Sequence, residues 1–291
     1  MADLTLRDLT PSYGTEITGL DAEAALADDA RCAQLQDLFD TRGILVFRDL
    51  DVDQVTQANL IRALIGHGPL AAGESPTGRD GGDPFYVSNR EPGGGAPYGR
   101  LLFHSDMAWS EHTFQVLSLY GIEVEQPATG TIFANGVDAW ATLPDDLRAR
   151  VEGLTALQGH EEGARAGGDP DVLVSTFTNL PTRTTPIAYP HPRTGATVLY
   201  VSQQMTQAIP DLPADEDEAL LEELFAHLYR PEALYEHDWR THDLVAWDNI
   251  ALQHARPNVV LEGPVRTLRK VFAPIPPRTA NPSMPTFASA R

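Results

Sequence analysis

The chain has 291 residues, 42% hydrophobic and 21% charged, enough for one large domain with a full core. Its 21 Lys and Arg against 41 Asp and Glu give a formal charge of −20, which repels phosphate backbones and anionic headgroups, so neither nucleic acid nor membrane is expected as a partner. A single cysteine, Cys32, excludes an internal disulfide framework and any multi-cysteine zinc site and suits a reducing compartment. No run of roughly 18 apolar residues appears. The start MADLTLRDLT has neither the basic flank nor the hydrophobic run of a signal peptide, so the expected location is cytoplasmic.

In chain order, residues 4–20 alternate apolar pairs with Pro11, Gly14 and Gly19 and predict two short strands. Residues 22–41 place Leu26, Cys32, Leu35, Leu38 and Phe39 at helical spacing, with Gly43 as a stop and Cys32 as a small core residue. The run 43–48 is continuously apolar until Arg48, as in a strand buried on both faces, and 51–64 is helical again. Glycine and proline crowd 66–99 around the strand-like Phe85-Tyr86-Val87; a loop this long next to a dense polar cluster predicts one wall of a site. Strands follow at 114–124 and 130–135, then a helix over 137–150 broken at Leu143-Pro144. The charged, glycine-rich segment 159–184 has little periodicity and predicts a lid. A turn at 190–195 leads into a strand over 196–202, and 215–229 carries Leu220, Leu221, Leu224, Phe225 and Leu228 in helical register behind an acidic first turn. Residues 243–247, Val259-Val260 and 266–272 supply the last strands before a proline-rich tail. Many short strands, few helices and no repeating strand–helix rhythm predict a mostly β fold with flanking helices, a sandwich or jelly roll, in a single domain spanning 1–291.

Of nine histidines, two have neighbours that suggest chemistry. In His104-Ser105-Asp106, the i, i+2 spacing on a strand would put an imidazole and a carboxylate on one face. His254, after Trp247-Asp248-Asn249, completes a two-histidine, one-carboxylate set if its strand lies beside that of His104; such a set leaves open positions on a non-haem iron. Farther on, Arg266, Leu268 and Lys270 share a strand face and Arg269 takes the other. An inward guanidinium needs an anion, and its planar fork suits a carboxylate. A surface Arg/Lys strand is the competing reading of the same residues.

These residues carry a resemblance. The segments Tyr13-Gly14-Thr15-Glu16, Arg42-Gly43-Ile44-Leu45-Val46-Phe47, His104-Ser105-Asp106, Thr129-Gly130-Thr131, His191-Pro192-Arg193-Thr194-Gly195, Trp247-Asp248-Asn249, Gln253-His254 and the strand 266–270 follow one another as in the taurine dioxygenase (TauD/TfdA-type) family of Fe(II)- and 2-oxoglutarate-dependent dioxygenases. The resemblance covers most of the chain and implies a double-stranded β-helix, the distorted, cupin-like jelly roll.

Carried over by position, the resemblance implies that His104, Asp106 and His254 bind iron, and that Arg266 and Thr131 hold the far carboxylate of 2-oxoglutarate. Trp109 would line the substrate pocket. Lys270 falls where relatives often have an arginine for the anionic end of the substrate, and Arg269 is the alternative for either basic role. Taurine-specific members have an asparagine four residues before the first iron histidine; this chain has Arg100 there, which with Lys270 would form a basic mouth. The implied reaction uses O2 and 2-oxoglutarate to hydroxylate a C–H bond of a small anionic molecule, whether a sulfonate, sulfate ester, aryloxy acid or secondary metabolite. A homo-oligomer, dimer or tetramer, is also implied. The competing classes are a zinc-dependent hydrolase on the same three ligands and a non-catalytic jelly-roll binding protein.

Overall fold

The computed structural model describes residues 4–78, 82–159, 169–173 and 181–274. The chain enters through two strands, β1 (Thr5–Asp8) and β2 (Thr15–Thr18), as the turn residues at 11–14 predict. The helix expected over 22–41 is two helices, α1 (Ala22–Leu26) and α2 (Asp29–Arg42), because Asp28 turns its carboxylate onto the amides of Ala30 and Arg31 and starts a new helix. Gly43, at φ 71°, ends α2, and the β3 strand (Ile44–Phe47) follows at once. Cys32 sits on α2 half-buried, its Sγ against the Ala25 carbonyl. Helix α3 (Gln54–Ala63) is capped by Asp53.

The remaining elements are β4 (Phe85–Ser88), β5 (Gly99–His104), β6 (Val116–Val124), β7 (Thr131–Asn135), α4 (Gly136–Ala141), α5 (Asp145–Val151), β8 (Thr155–Gln158), β9 (Arg183–Pro186), β10 (Ala188–Pro190), β11 (Thr197–Leu199), β12 (Thr206–Ala208), α6 (Ala214–Leu228), β13 (Leu234–His237), β14 (Leu244–Asp248), β15 (Leu252–Val259) and β16 (Arg266–Ala273). Most of the lid segment predicted at 159–184, and the tail beyond Pro274, lie outside the described residues.

Seven strands form the larger sheet in the order β1-β2-β3-β14-β6-β16-β4, and four form the smaller, β13-β7-β15-β5. Their alternation explains the sandwich. On β3, Ile44 and Val46 point toward the small sheet while Leu45 and Phe47 point toward the helices; β14 does the same with Val245 and Trp247 against Leu244 and Ala246. One apolar layer, with Phe133 and Leu252 from the small sheet packed on Leu117, Trp247 and Leu268, joins the two sheets. The other buries the outer face of the large sheet under α2 and α3 through Leu35, Phe39, Leu60 and Ile61. This is the mostly β jelly roll with flanking helices that the sequence predicts. The strands pair antiparallel except β2 and β3, which are parallel and joined through α1 and α2. No helix among the described residues is long and apolar enough to cross a membrane.

Candidate active site

His104 is the last residue of β5, and His254 stands directly opposite it on β15. Asp106 reaches them differently from the sequence expectation. It is not on the strand with His104 but in the turn that follows, where Met107 takes a left-handed φ of 58°. The result is nevertheless convergence: one donor atom from each of His104, Asp106 and His254 lies within 4.8 Å of the others. Asp106 Oδ1 is 3.3 Å from His104 Nε2 and 3.9 Å from His254 Nε2. The Nδ1 of His104 lies 2.7 Å from the Leu102 carbonyl; an N–H there would fix the tautomer and leave Nε2 with its lone pair toward the site. His254 is oriented by rings, with Trp247 at 4.9 Å and His104 at 4.1 Å between centroids, and its buried Nδ1 has no hydrogen-bond partner.

Protonation favours ligation. Burial holds the His254 imidazole well below its ordinary range, helped by the neighbouring His104, so it is neutral at physiological pH. Burial alone would raise the Asp106 carboxyl, but Lys270 and the two histidines outweigh it and keep the carboxyl well below the usual range. Two imidazoles and a carboxylate, mutually close, the histidines buried and Asp106 partly so, fit a divalent metal of the non-haem iron type.

Arg266 opens the second half of the site. It is buried, and its Nε donates to the Thr129 carbonyl at 2.9 Å while Nη2 donates to Thr131 Oγ1 at 3.1 Å. Burial, with nearby Arg256, pulls its guanidinium down to about 9, and among the described residues no acid forms an ion pair with it. Thr131 Oγ1 also accepts from Trp239 Nε1 at 2.9 Å. Both lone pairs of the hydroxyl are therefore occupied, and its own proton is left to donate. A cation without a counter-charge beside a hydroxyl poised to donate fits one carboxylate of a small diacid.

The other predicted residues separate. Lys270, on the same face as Arg266, places its ammonium on Asp106 Oδ2 and lies 5.7 Å from the ring of Phe85, which β4, the strand within the 66–99 stretch, brings beside β16. Arg269 is a correction: its side chain lies on the opposite face, under α3, donating to Gln57 Oε1 and the Val52 carbonyl and stacked over Tyr120. Period-2 alternation sends it there, so it is no alternative to Lys270 or Arg266. Arg100 is half-exposed and paired with Asp169 at 2.5 Å, so its charge is met by an acid rather than left open as a basic mouth. Trp109 is buried in an apolar group with Ala108, Val198, Tyr200, Met205 and Ile250, next to the Asp106 turn. Two contributors escaped the sequence reading. Arg256 donates to the carbonyls of Ala96, Tyr98 and Gly99 and tethers the loop before β5; the same-face rule applied to His254 would have found it. Trp239, the partner of Thr131, carries no such signal.

A double-stranded β-helix that gathers two histidines and a carboxylate, with a buried arginine that has no acid partner among the described residues, is the arrangement of the non-haem Fe(II)- and 2-oxoglutarate-dependent dioxygenases. The family model for the taurine catabolism dioxygenase TauD, TfdA family matches residues 5–271, and the chain belongs to that family. It is 26% identical over 263 residues to the alpha-ketoglutarate-dependent 2,4-dichlorophenoxyacetate dioxygenase of Cupriavidus pinatubonensis, covering 84% of this chain and 89% of the relative. It is 25% identical over 271 residues to pentalenolactone F synthase of Streptomyces avermitilis, covering 84% and 86%. The crystal structure of a taurine dioxygenase from Burkholderia xenovorans shares the fold, with a TM-score of 0.71 at 23% identity over 92% of this chain and 90% of that one.

Proposed function

We propose that the protein hydroxylates a C–H bond of a small anionic organic molecule, with His104, Asp106 and His254 holding Fe(II) and Arg266 with Thr131 holding the distal carboxylate of 2-oxoglutarate. The balance is one O2, one 2-oxoglutarate and one substrate C–H in, and succinate, CO2 and an alcohol out. The observation that carries this reading is the buried Arg266 guanidinium, which has no acid partner among the described residues and shares its strand face with Lys270, the residue that contacts Asp106. On β7, Thr131 lies two residues from Phe133, the pairing partner of His254; at roughly 3.3 Å per residue, that step is about 7 Å, the reach of a five-carbon diacid.

Fe(II), held by His104, Asp106 and His254, would supply the oxidising chemistry together with O2 and 2-oxoglutarate. The protein's own groups do the rest. A neutral His254 and an ionised Asp106 would receive the metal without first shedding protons, and Arg266 and Thr131 would fix one end of the diacid. Lys270 adds positive charge on the substrate side, and the Trp109 layer excludes water beside the Asp106 turn. The relatives named above act on an aryloxy acid and make a secondary metabolite, and Lys270 beside Phe85 supports a substrate that pairs an anion with an apolar or aromatic body.

The test is anaerobic addition of Fe(II) and then 2-oxoglutarate, watching for the visible charge-transfer absorption of the chelate, followed by oxygen and a succinate assay. A band and succinate formation support the reading; tight iron binding with no band on 2-oxoglutarate addition overturns the Arg266 and Thr131 assignment, and failure to bind iron overturns the metal site.

A further inference from the structure

Asp106 is held by more than its carboxylate. Its amide donates to Asn249 Oδ1 at 2.9 Å, and its carbonyl accepts from Asn249 Nδ2, also at 2.9 Å. One carboxamide thus grips both backbone polar groups of a single residue that lies 143 positions earlier in the chain. The same Nδ2 donates to the Phe114 carbonyl at 3.1 Å. This pattern fixes which end of the side chain is oxygen: an N–H needs the acceptor, and two carbonyls need the donor. Asn249 is fully buried, so neither end has water as a substitute.

The turn needs such a grip. Met107, immediately after Asp106, is a non-glycine residue at φ 58°, a conformation that persists only where surrounding contacts impose it. Thr113 Oγ1 adds a further bond to the Asp106 carbonyl at 3.0 Å. Asn249 is itself fixed, because its amide donates to the Gln115 carbonyl, and the preceding Asp248 caps the turn by accepting from the amides of Ile250 and Ala251 at 2.9 and 3.0 Å. The other face of the Asp248 carboxylate meets His191 at 3.0 Å and Arg193 at 3.2 Å. That turn leads directly into β15, which carries His254. The segment that delivers one imidazole therefore also clasps the backbone of the carboxylate.

Resting on the reading of Asp106 as a metal ligand, we propose that Asn249 is its positioning residue, setting the direction of the Asp106 carboxylate toward the two imidazoles before any metal arrives and so preorganising the facial set. Asp248, His191 and Arg193 hold Asn249 in place.

The experiment uses Mn(II) as probe on the whole chain, with affinity from calorimetry and geometry from the Mn(II) paramagnetic resonance spectrum, for wild type, Asn249→Ala, Asp106→Ala and the double variant. Asn249→Ala is expected to weaken Mn(II) binding by about 10–100-fold and broaden the spectrum, as loss of an outer-shell partner does. In the Asp106→Ala background the same change is expected to cost less than about threefold, because its effect runs through Asp106. An undiminished effect there, or an Asn249→Ala protein that binds Mn(II) like wild type, overturns the proposal. If Asp106→Ala binds Mn(II) as wild type does, the ligand reading falls first. A measurement on wild type alone decides the matter should Asn249→Ala not fold: amide exchange of Asp106 in metal-free protein is expected to be slow. Exchange at the rate of an open turn, slowed only by Mn(II), overturns preorganisation.

Discussion

The ammonium of Lys270 rests on Asp106 Oδ2 while Oδ1 of the same carboxylate faces His104 and His254, so one carboxylate is divided between a fixed cation and the metal side of the site. Lys270 has two effects of opposite sign. Under the proposed reading it would compete with a metal cation for Asp106 and would attract the anionic end of a substrate. Lys270→Met is therefore expected to tighten Mn(II) binding by up to about tenfold at low salt while raising KM for anionic substrates by at least about tenfold, charge-assisted contacts being worth 1.5–3 kcal/mol. Parallel titrations of metal and substrate check this; no change in either would show that the lysine serves only packing.

Arg266 gives a pH dependence whose sign follows from its environment. Burial lowers its guanidinium to about 9, so the charged form predominates below that pH and is lost above it. Binding of 2-oxoglutarate to the metal-free protein, read as a thermal-shift increment, is expected to be constant from about pH 7 to 8 and to shrink as pH rises through about 9. For folding without the ligand the sign is reversed: the buried charge opposes folding below about pH 9, and that cost falls as pH rises toward the unfolded value. An increment that stays level to pH 10 would show that the guanidinium keeps its charge throughout; the clamp itself requires Arg266→Met to abolish the increment, and an unchanged increment in that variant would overturn it.

What the sequence made legible follows the physics of each element. The shared face of Arg266 and Lys270 was readable because β16 keeps strict alternation; the register shift opposite Thr267 and Leu268 places its extra residue, Ile122, on β6 instead. The ligand spacing in His104-Ser105-Asp106 was readable too, but its geometric cause was not, since the turn after β5 is held by Asn249, a partner no local pattern reveals. The split between α1 and α2 had a signal in Asp28, a strong capping residue inside an otherwise helical run. Strands β8, β9, β10 and β12, of three or four residues each, are too short to show alternation and take their form from pairing with one another and with β11.

Arg269 and Lys270, adjacent in sequence, are expected to fail in different ways. Arg269→Met removes donors to Gln57 Oε1 and the Val52 carbonyl beneath α3 and leaves both without their partner in a buried setting. The cost is expected to be about 2–3 kcal/mol of stability. The half-saturating concentration of 2-oxoglutarate should stay unchanged, because the side chain faces away from Thr131 and Asp106. Chemical denaturation with a 2-oxoglutarate titration separates the two, and a large rise in the co-substrate requirement would return Arg269 to the site.

The metal itself can be exchanged to distinguish oxidative from hydrolytic chemistry. The three donors place no geometric bar on Zn(II), which binds imidazole and carboxylate as readily as Fe(II) does, and the usual affinity order favours it. After removal of metal with a chelator, Fe(II) is expected to restore 2-oxoglutarate-dependent succinate formation, whereas Zn(II) is expected to occupy the site, block Fe(II) and support no turnover, because it has no accessible redox state. Succinate release and oxygen uptake measured after each metal is added back report the outcome. Activity with Zn(II) and no oxygen consumption would assign the same three residues to a hydrolase.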